Sequence, residues 1–263
     1  MGTIGRSIGS QARIFYTIAS RDMQLKHRES PIGVLSGVLE PLCQILLMTL
    51  VFSTVRLRTA DMGDFVLLFL MTGILPLACF RGTVTGSQMA FNKMRKALAF
   101  PQLRPLDLMF GGAFAHTAII ITLFVLITLF FKVVYQTTTP QNLTFALIPL
   151  VCNMIIGVGI CSVNMTIKTW FPFWGTIFTI VTAPLSILSG MFYTADTLPT
   201  QIQRVLWWNP FFHSTELCRT FYFQEYTSTF FSPYYYSAWV IGSLAIGMLC
   251  ERTFRYRLLS SKR

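Results

Sequence analysis

An all-α integral membrane protein is the fold class this sequence predicts, and three observations carry the prediction. Hydrophobic residues make up 53% of the 263 positions and charged ones only 12%, far from the balance of a soluble domain. Six predominantly apolar stretches, at 33–55, 65–88, 108–131, 143–166, 171–192 and 233–250, approach the roughly 20 residues a helix needs to cross a hydrocarbon core about 30 Å thick. Within each stretch the apolar residues are continuous rather than alternating, which selects transmembrane helices over barrel strands.

The segment 1–32 carries Arg6, Arg13, Arg21, Asp22, Lys26, Arg28 and Glu29 without a separate apolar core, so no signal peptide is expected and the first span acts as the insertion signal. Ile14, Phe15, Ile18 and Leu25 recur among these charges at helical spacing, which predicts an N-terminal amphipathic helix along the inner surface. It either receives a partner or anchors the chain. Spans one to five then occupy 33–192, interrupted by a loop at 92–107, and the sixth span with a basic tail fills 233–263.

Orientation follows from the basic residues. Fifteen of the 21 Lys and Arg lie before span one, between spans two and three, after span four, or after span six. The positive-inside bias therefore places both termini in the cytoplasm. Topology and anionic lipid account for the net charge of +11 without nucleic acid. Segment 193–232 is then external, and its aromatics with Asn209-Pro210 suit two short re-entrant helices dipping into the outer leaflet, tolerable only under a cover of protein or in a wet cavity.

That segment holds the most chemical-looking cluster, His213, Glu216 and Arg219 at three-residue spacing. Catalysis is poorly served, since no Ser or Cys nucleophile sits in a recognisable elbow. A metal site needs three or four ligands, whereas His-x-x-Glu supplies two, and His27 and His116 fall elsewhere. What remains is a helix turn whose charges and dipoles satisfy one another. Of the six cysteines only Cys218 lies outside the spans, so they read as small buried residues and not as a disulfide framework.

Ionisable groups inside spans are costly and face protein or water. Glu40 and Arg81 each lie roughly 10 Å deep from the cytoplasmic side; they pair, or Arg81 snorkels to the headgroups. Gly33/Gly37 and Gly82/Gly86 have the spacing for close helix approach. Thr176, Thr179, Thr182, Ser186 and Ser189 with Pro184 make span five polar enough to line a conduit, unless the hydroxyls bond their own helix. The loop 92–107, "NKMRKALAFPQLRPLD", is a basic helical turn ended by Pro101 and Pro105, either projecting to transmit motion or forming an ordinary positive loop. No G-x-x-x-x-G-K-[ST] occurs, so the chain has no Walker A cradle for a nucleotide.

Four motifs in order carry a resemblance: Arg-Asp before span one, Leu-Glu-Pro within it, Phe-Pro-x-x-Arg-Pro-Leu-Asp in the cytoplasmic loop, and Asn-Pro-x-x-His-x-x-Glu-x-x-Arg after span five. Over nearly the whole chain the sequence resembles permease subunits of polysaccharide-exporting ABC transporters, above all the capsular polysaccharide export permeases. The resemblance implies a non-enzymatic, multi-pass permease of the bacterial inner membrane that pairs with a second copy of itself and two copies of an ATP-binding subunit, which holds the ATP and Mg. This chain would bind no cofactor or metal. The cargo implied is a lipid-linked acidic polysaccharide moved to the periplasm, where further periplasmic and outer-membrane export proteins take over; lipid-linked O-antigen or another lipid or drug is the alternative. Arg21, Asp22, Lys26, Met94, Arg95, Lys96, Leu98 and Phe100 are the candidates for receiving the ATPase, with 92–107 as coupling helix. Aromatic faces stack on sugars and basic groups offset acids, so Glu40, Arg81, Trp170, Phe171, Trp174, Trp207, Trp208, Phe211 and Phe212 are candidates for the substrate path, the aromatics alternatively forming an interfacial belt.

Overall fold

Backbone in hydrocarbon must satisfy its own N–H and C=O groups, and a long apolar run does so by becoming a helix. The computed structural model describes residues 32–54, 65–94, 104–137, 140–224 and 226–260, and among them there is no strand. In chain order the helices are α1 (Ile32–Thr54), α2 (Val66–Met94), α3 (Pro105–Val134), the single turn α4 (Leu143–Ala146), α5 (Ile148–Lys168), α6 (Trp174–Ile187), α7 (Thr200–Leu206), α8 (Pro210–Tyr222) and α9 (Pro233–Ser260), with a 3₁₀ turn at Ala195–Thr197. The N-terminal amphipathic helix expected in 1–32 lies outside the described residues.

Four segments are long and apolar enough to cross a membrane: Gly37–Thr54, Val66–Lys93, Pro105–Val134 and Leu143–Lys168. The apolar run expected at 171–192 gives a helix of only 14 residues, α6, or about 21 Å. Turns flank it: Pro172 precedes its first residue, and the chain turns at 188–190, where Gly190 takes φ +74°. The last helix, α9, overruns its apolar stretch to 28 residues by continuing through Glu251, Arg252 and Arg255, with a kink at Phe254. At the start of α3, Pro105 takes the first helical position and the Asp107 carboxylate accepts the Arg104 N–H at 2.9 Å, so the helix begins three residues before its apolar run.

The central element is α2, which packs against α1, α3, α5 and α8. Within an 18-residue apolar window of α2 72% of the residues are buried, against 11% in that of α1, so α2 is the core and α1 the periphery. Leu46, Leu47 and Leu50 of α1 and Ile180, Val181 and Ile187 of α6 are exposed apolar side chains, as expected of surfaces meeting lipid or another chain.

Lipid tails are as apolar as leucine, so helices in a bilayer associate through van der Waals contact and buried hydrogen bonds. Both operate here. A Cβ on Gly82 would overlap the His116 ring, and one on Gly112 would sit 2.6 Å from the Gly86 carbonyl oxygen, which makes the Gly82/Gly86 spacing a true close approach of α2 to α3. Gly37 is different, because a Cβ there would make only ordinary contact with Ile119 at 3.6 Å. A second approach, unread in the sequence, joins α5 to α9: a Cβ on Gly159 would overlap the Ser243 carbonyl, and one on Gly247 would lie 2.6 Å from the Gly159 carbonyl oxygen.

Replacing Gly159 with Leu should therefore force α5 and α9 apart and cost about 1–3 kcal/mol. Thermal unfolding of the purified protein in detergent measures this, with the Gly37→Leu protein expected to lose far less.

Candidate functional site

Between α6 and α9 the chain builds a polar structure in an otherwise oily protein. Asn209 caps α8, its Oδ1 accepting the Phe211 N–H at 3.0 Å while its Nδ2 donates to the Leu188 carbonyl at 3.0 Å; Pro210 occupies the first helical position. The helix thus launched is buried nearly all round, polar residues included: His213, Ser214, Thr215, Glu216 and Arg219 have at most 1% of their surface exposed. Groups so placed need partners.

Arg219 has several. Its Nη1 donates to the Tyr193 carbonyl at 2.7 Å and its Nη2 to the Met191 carbonyl at 3.3 Å, its guanidinium lies 4.0 Å from the Phe69 ring centroid, and Nη1 is 3.7 Å from Glu216 Oε1. One side chain therefore ties α8 to the 191–193 turn and to α2. Burial works against its charge and the Glu216 carboxylate supports it. Tyr226 donates its hydroxyl to Glu216 Oε2 in a short hydrogen bond, and burial together with that carboxylate raises the phenol well above its ordinary value, which keeps it the donor.

His213 takes no part in this pair, although its spacing suggested that all three groups satisfy one another. Its Nδ1 accepts the Ser232 N–H at 3.3 Å, which leaves Nε2 to donate to the Trp207 carbonyl at 2.8 Å. Burial pushes the imidazole below its ordinary value, with the Trp207 bond acting the other way. The ring is a hub for aromatics, stacked on Phe230 at 5.4 Å and edge-on to Trp207 at 5.7 Å.

A second buried network went unread. Asn153 Nδ2, on α5, donates to the Pro76 carbonyl and to Ser214 Oγ, both at 2.8 Å, while its Oδ1 accepts the Tyr236 hydroxyl at 2.9 Å. One amide thus joins α2, α5, α8 and α9. The signal was available: a neutral amide inside an apolar span needs partners as surely as a charge does.

Three cavities are relevant to a path. One of about 420 Å³ between α1, α2 and α3 is lined by Glu40, Gln44, Arg81, Lys93 and His116, among others. A second, of about 270 Å³, shares Arg81 and adds Gln88, Asn164, Lys168, Trp174 and Thr179. Arg81 stands between them and donates to Ser186 Oγ at 3.4 Å; among the described residues it makes no ion pair with Glu40. Trp174 is fixed by its Nε1–H to Asn164 Oδ1 bond of 2.9 Å. Of the span-five hydroxyls, Thr179 and Thr182 border this cavity while bonding the Gly175 and Phe178 carbonyls of their own helix.

The third cavity, about 560 Å³, lies along α7 and includes Trp207 and Trp208. Among the other path candidates, Trp170 packs edge-on against Phe254 at 4.8 Å and Phe171 is exposed. Phe211 and Phe212 are buried in packing, against Phe80 at 4.3 Å and Phe230 at 4.8 Å respectively. Of the coupling candidates, Arg21, Asp22, Lys26, Arg95, Lys96, Leu98 and Phe100 lie outside the described residues, and Met94 is the last residue of α2.

A model of the ABC-2 type transporter family matches residues 13–223, most of the chain and all of the α2–α8 core. The chain belongs to the ABC-2 type transporter family. Such a protein is a transport permease and not a catalytic subunit, and its family implies an ABC transporter system with an ATP-binding partner. This ABC-2 transporter is similar to the capsule polysaccharide export inner-membrane protein CtrC of Neisseria meningitidis serogroup A, at 23% identity over 86% of this chain and 84% of that one. It is similar to the capsule polysaccharide export inner-membrane protein BexB of Haemophilus influenzae, at 22% over 96% and 95%. The putative transport permease ycf38 of Cyanophora paradoxa is 24% identical over 89% and 83%. The resemblance read from the motifs is thus matched along nearly the whole chain.

Removing one member of the buried Glu216–Arg219 pair leaves the other charged and unpaired, at a cost of about 3–5 kcal/mol. Arg219→Met should therefore lower the unfolding temperature more than the Arg219→Met/Glu216→Gln double substitution. A double variant no more stable than the single one would contradict the pairing.

Proposed function

We propose that this chain is the permease subunit of an ATP-driven exporter that carries a lipid-linked acidic capsular polysaccharide from the cytoplasm to the periplasm across the inner membrane. The observation that carries this reading is the pair of polar, cation-bearing cavities meeting at Arg81 inside a transport permease whose relatives are named for capsule polysaccharide export. Arg81, Lys93 and Lys168 outnumber Glu40 among the charged residues lining these cavities, and that net positive balance favours an anionic cargo. Trp174, held by Asn164, offers a fixed aromatic face. A moving polymer needs many weak contacts of this kind rather than one tight site.

In this reading the chain crosses the bilayer six times with both termini in the cytoplasm. α6 with the residues flanking it serves as the fifth crossing, and α9 as the sixth. α7 and α8 form the external re-entrant pair. Two permeases work with two ATP-binding subunits, which dock on the N-terminal amphipathic helix and on the loop between α2 and α3. The loop is well placed to transmit force, because it joins the central helix directly to α3, whose first turn is fixed by Arg104 and Asp107. Periplasmic and outer-membrane export proteins receive the polymer.

Replacing Arg95, Lys96 and Leu98 together with Ala should lower surface polysaccharide at least tenfold while membrane insertion of the protein is unchanged. Immunoblotting of membranes beside a quantitative capsule assay reads both, and undiminished export from the triple variant would overturn the coupling role.

A further inference from the structure

The cavity along α7 is built unlike the two at Arg81. Thr200, Gln203, Arg204 and Trp207 recur at the spacing that puts side chains on one face of a helix, and all four line it. Ile202 and Val205, on the other side of the same helix, are 46% and 72% exposed, and Leu206 is buried with Ala195 and Phe212. The helix thus divides an apolar outward side from a polar and aromatic face that borders the cavity.

The opposite wall comes from Asp196 in the 3₁₀ turn and from Thr229 and Phe230 ahead of α9. The walls are held in place. Gln203 Nε2 donates to the Ala195 and Leu198 carbonyls, at 2.8 and 3.0 Å, fixing the turn to α7. Tyr235 donates to the Trp208 carbonyl and packs on the Trp207 ring at 4.6 Å. Held between these walls, Trp208 is 68% exposed, a large aromatic kept open to whatever enters. Arg204 and Asp196 are both exposed, and neither forms an ion pair or hydrogen bond among the described residues.

This combination has a chemical meaning. A site for lipid tails would be apolar throughout, and a site for a simple anion would not need a broad aromatic face. A sugar ring needs both an apolar platform for its C–H face and hydroxyl partners around its rim. The cavity's volume of about 560 Å³ lies within the range of roughly 300–1,000 Å³ usual for small-molecule sites. We propose that it is a saccharide-binding site that holds one or two carboxylate-bearing sugars of the polymer, stacked on Trp208, with Arg204 meeting the carboxylate and Asp196, Thr200 and Thr229 the hydroxyls. Arg suits this role because its planar fork matches a carboxylate. The site rests on the export reading above, in which α7 faces the periplasm, and it gives the emerging chain a foothold there.

Isothermal titration of the full-length protein in lipid nanodiscs tests this without ATP or the ATP-binding partner. The probes are a tetrasaccharide of alternating glucuronate and N-acetylglucosamine, the neutral maltotetraose, and short-chain phosphatidylglycerol. The expected result is saturable binding of the acidic tetrasaccharide at least tenfold tighter than maltotetraose. Trp208→Ala should weaken both at least tenfold, Arg204→Gln should abolish the preference for the acidic sugar, and Val205→Ala, on the other face, should bind as the wild type. Absence of saccharide binding, an acidic preference that survives Arg204→Gln, binding indifferent to Trp208→Ala, or a site that takes only the phospholipid would each overturn the proposal. None of these outcomes touches the permease reading, which stands or falls on export by the coupling-loop variant.

Discussion

The Arg219 guanidinium is held away from water on the face of Phe69, and the region between α6 and α9 is arranged around keeping that charge satisfied. Two carbonyls of the turn after α6 accept its hydrogen bonds, Glu216 one helical turn earlier supplies the counter-charge, and Tyr226 from beyond α8 holds that carboxylate. Burying an ion pair is seldom a net gain over a well-packed apolar pair. What it supplies here is position: α2, the 191–193 turn, α8 and Tyr226 just beyond it meet only when α8 lies in one register against α2.

That fixed register has consequences on both sides of α8. On one, His213 anchors the aromatic group of Trp207, Phe230 and Tyr235, so the wall of the α7 cavity is rigid. On the other, Ser214 meets Asn153, whose amide also reaches Pro76 within α2 and Tyr236 of α9. Polar bonds therefore cross-brace α2, α5, α8 and α9. The region round Arg81 is built differently: two cavities flank the side chain and its hydrogen bond to Ser186 is long at 3.4 Å. A braced region beside cavities in which Arg81, Lys93 and Lys168 outnumber Glu40 suits the conduit proposed above.

Much of this fold is legible in the residues because hydrocarbon leaves an apolar run few alternatives to a helix. The runs at 33–55 and 65–88 correspond closely to α1 and the start of α2. Departures occur where local chemistry outweighs hydropathy. Pro105 and Asp107 start α3 early, the turns beside Pro172 and at 188–190 confine α6 to 14 residues, and α9 continues past its apolar stretch through charged residues. The break at Asn209-Pro210 was readable because a capping Asn followed by Pro starts a helix. Side-chain partners were less so. Spacing put Glu216 within reach of both His213 and Arg219, yet it has no means of indicating that Trp207 and Ser232 claim the imidazole. The α7 cavity needs Asp196, Arg204 and Phe230 to converge across 34 positions of sequence, a property of the folded chain alone.

Every functional role proposed for this permease assumes that the α7–α8 region faces the periplasm while the Lys168 end of α5 faces the cytoplasm. Cysteine accessibility in intact cells measures that directly. In a background lacking the six native cysteines, Asp196→Cys and Lys168→Cys are each exposed to a maleimide that cannot cross the inner membrane but can enter the periplasm. The predicted result is that Cys at 196 reacts in intact cells and Cys at 168 reacts only after the inner membrane is permeabilised. The reverse pattern would contradict the orientation, and with it both the exit site and the docking of an ATP-binding partner on the loop between α2 and α3.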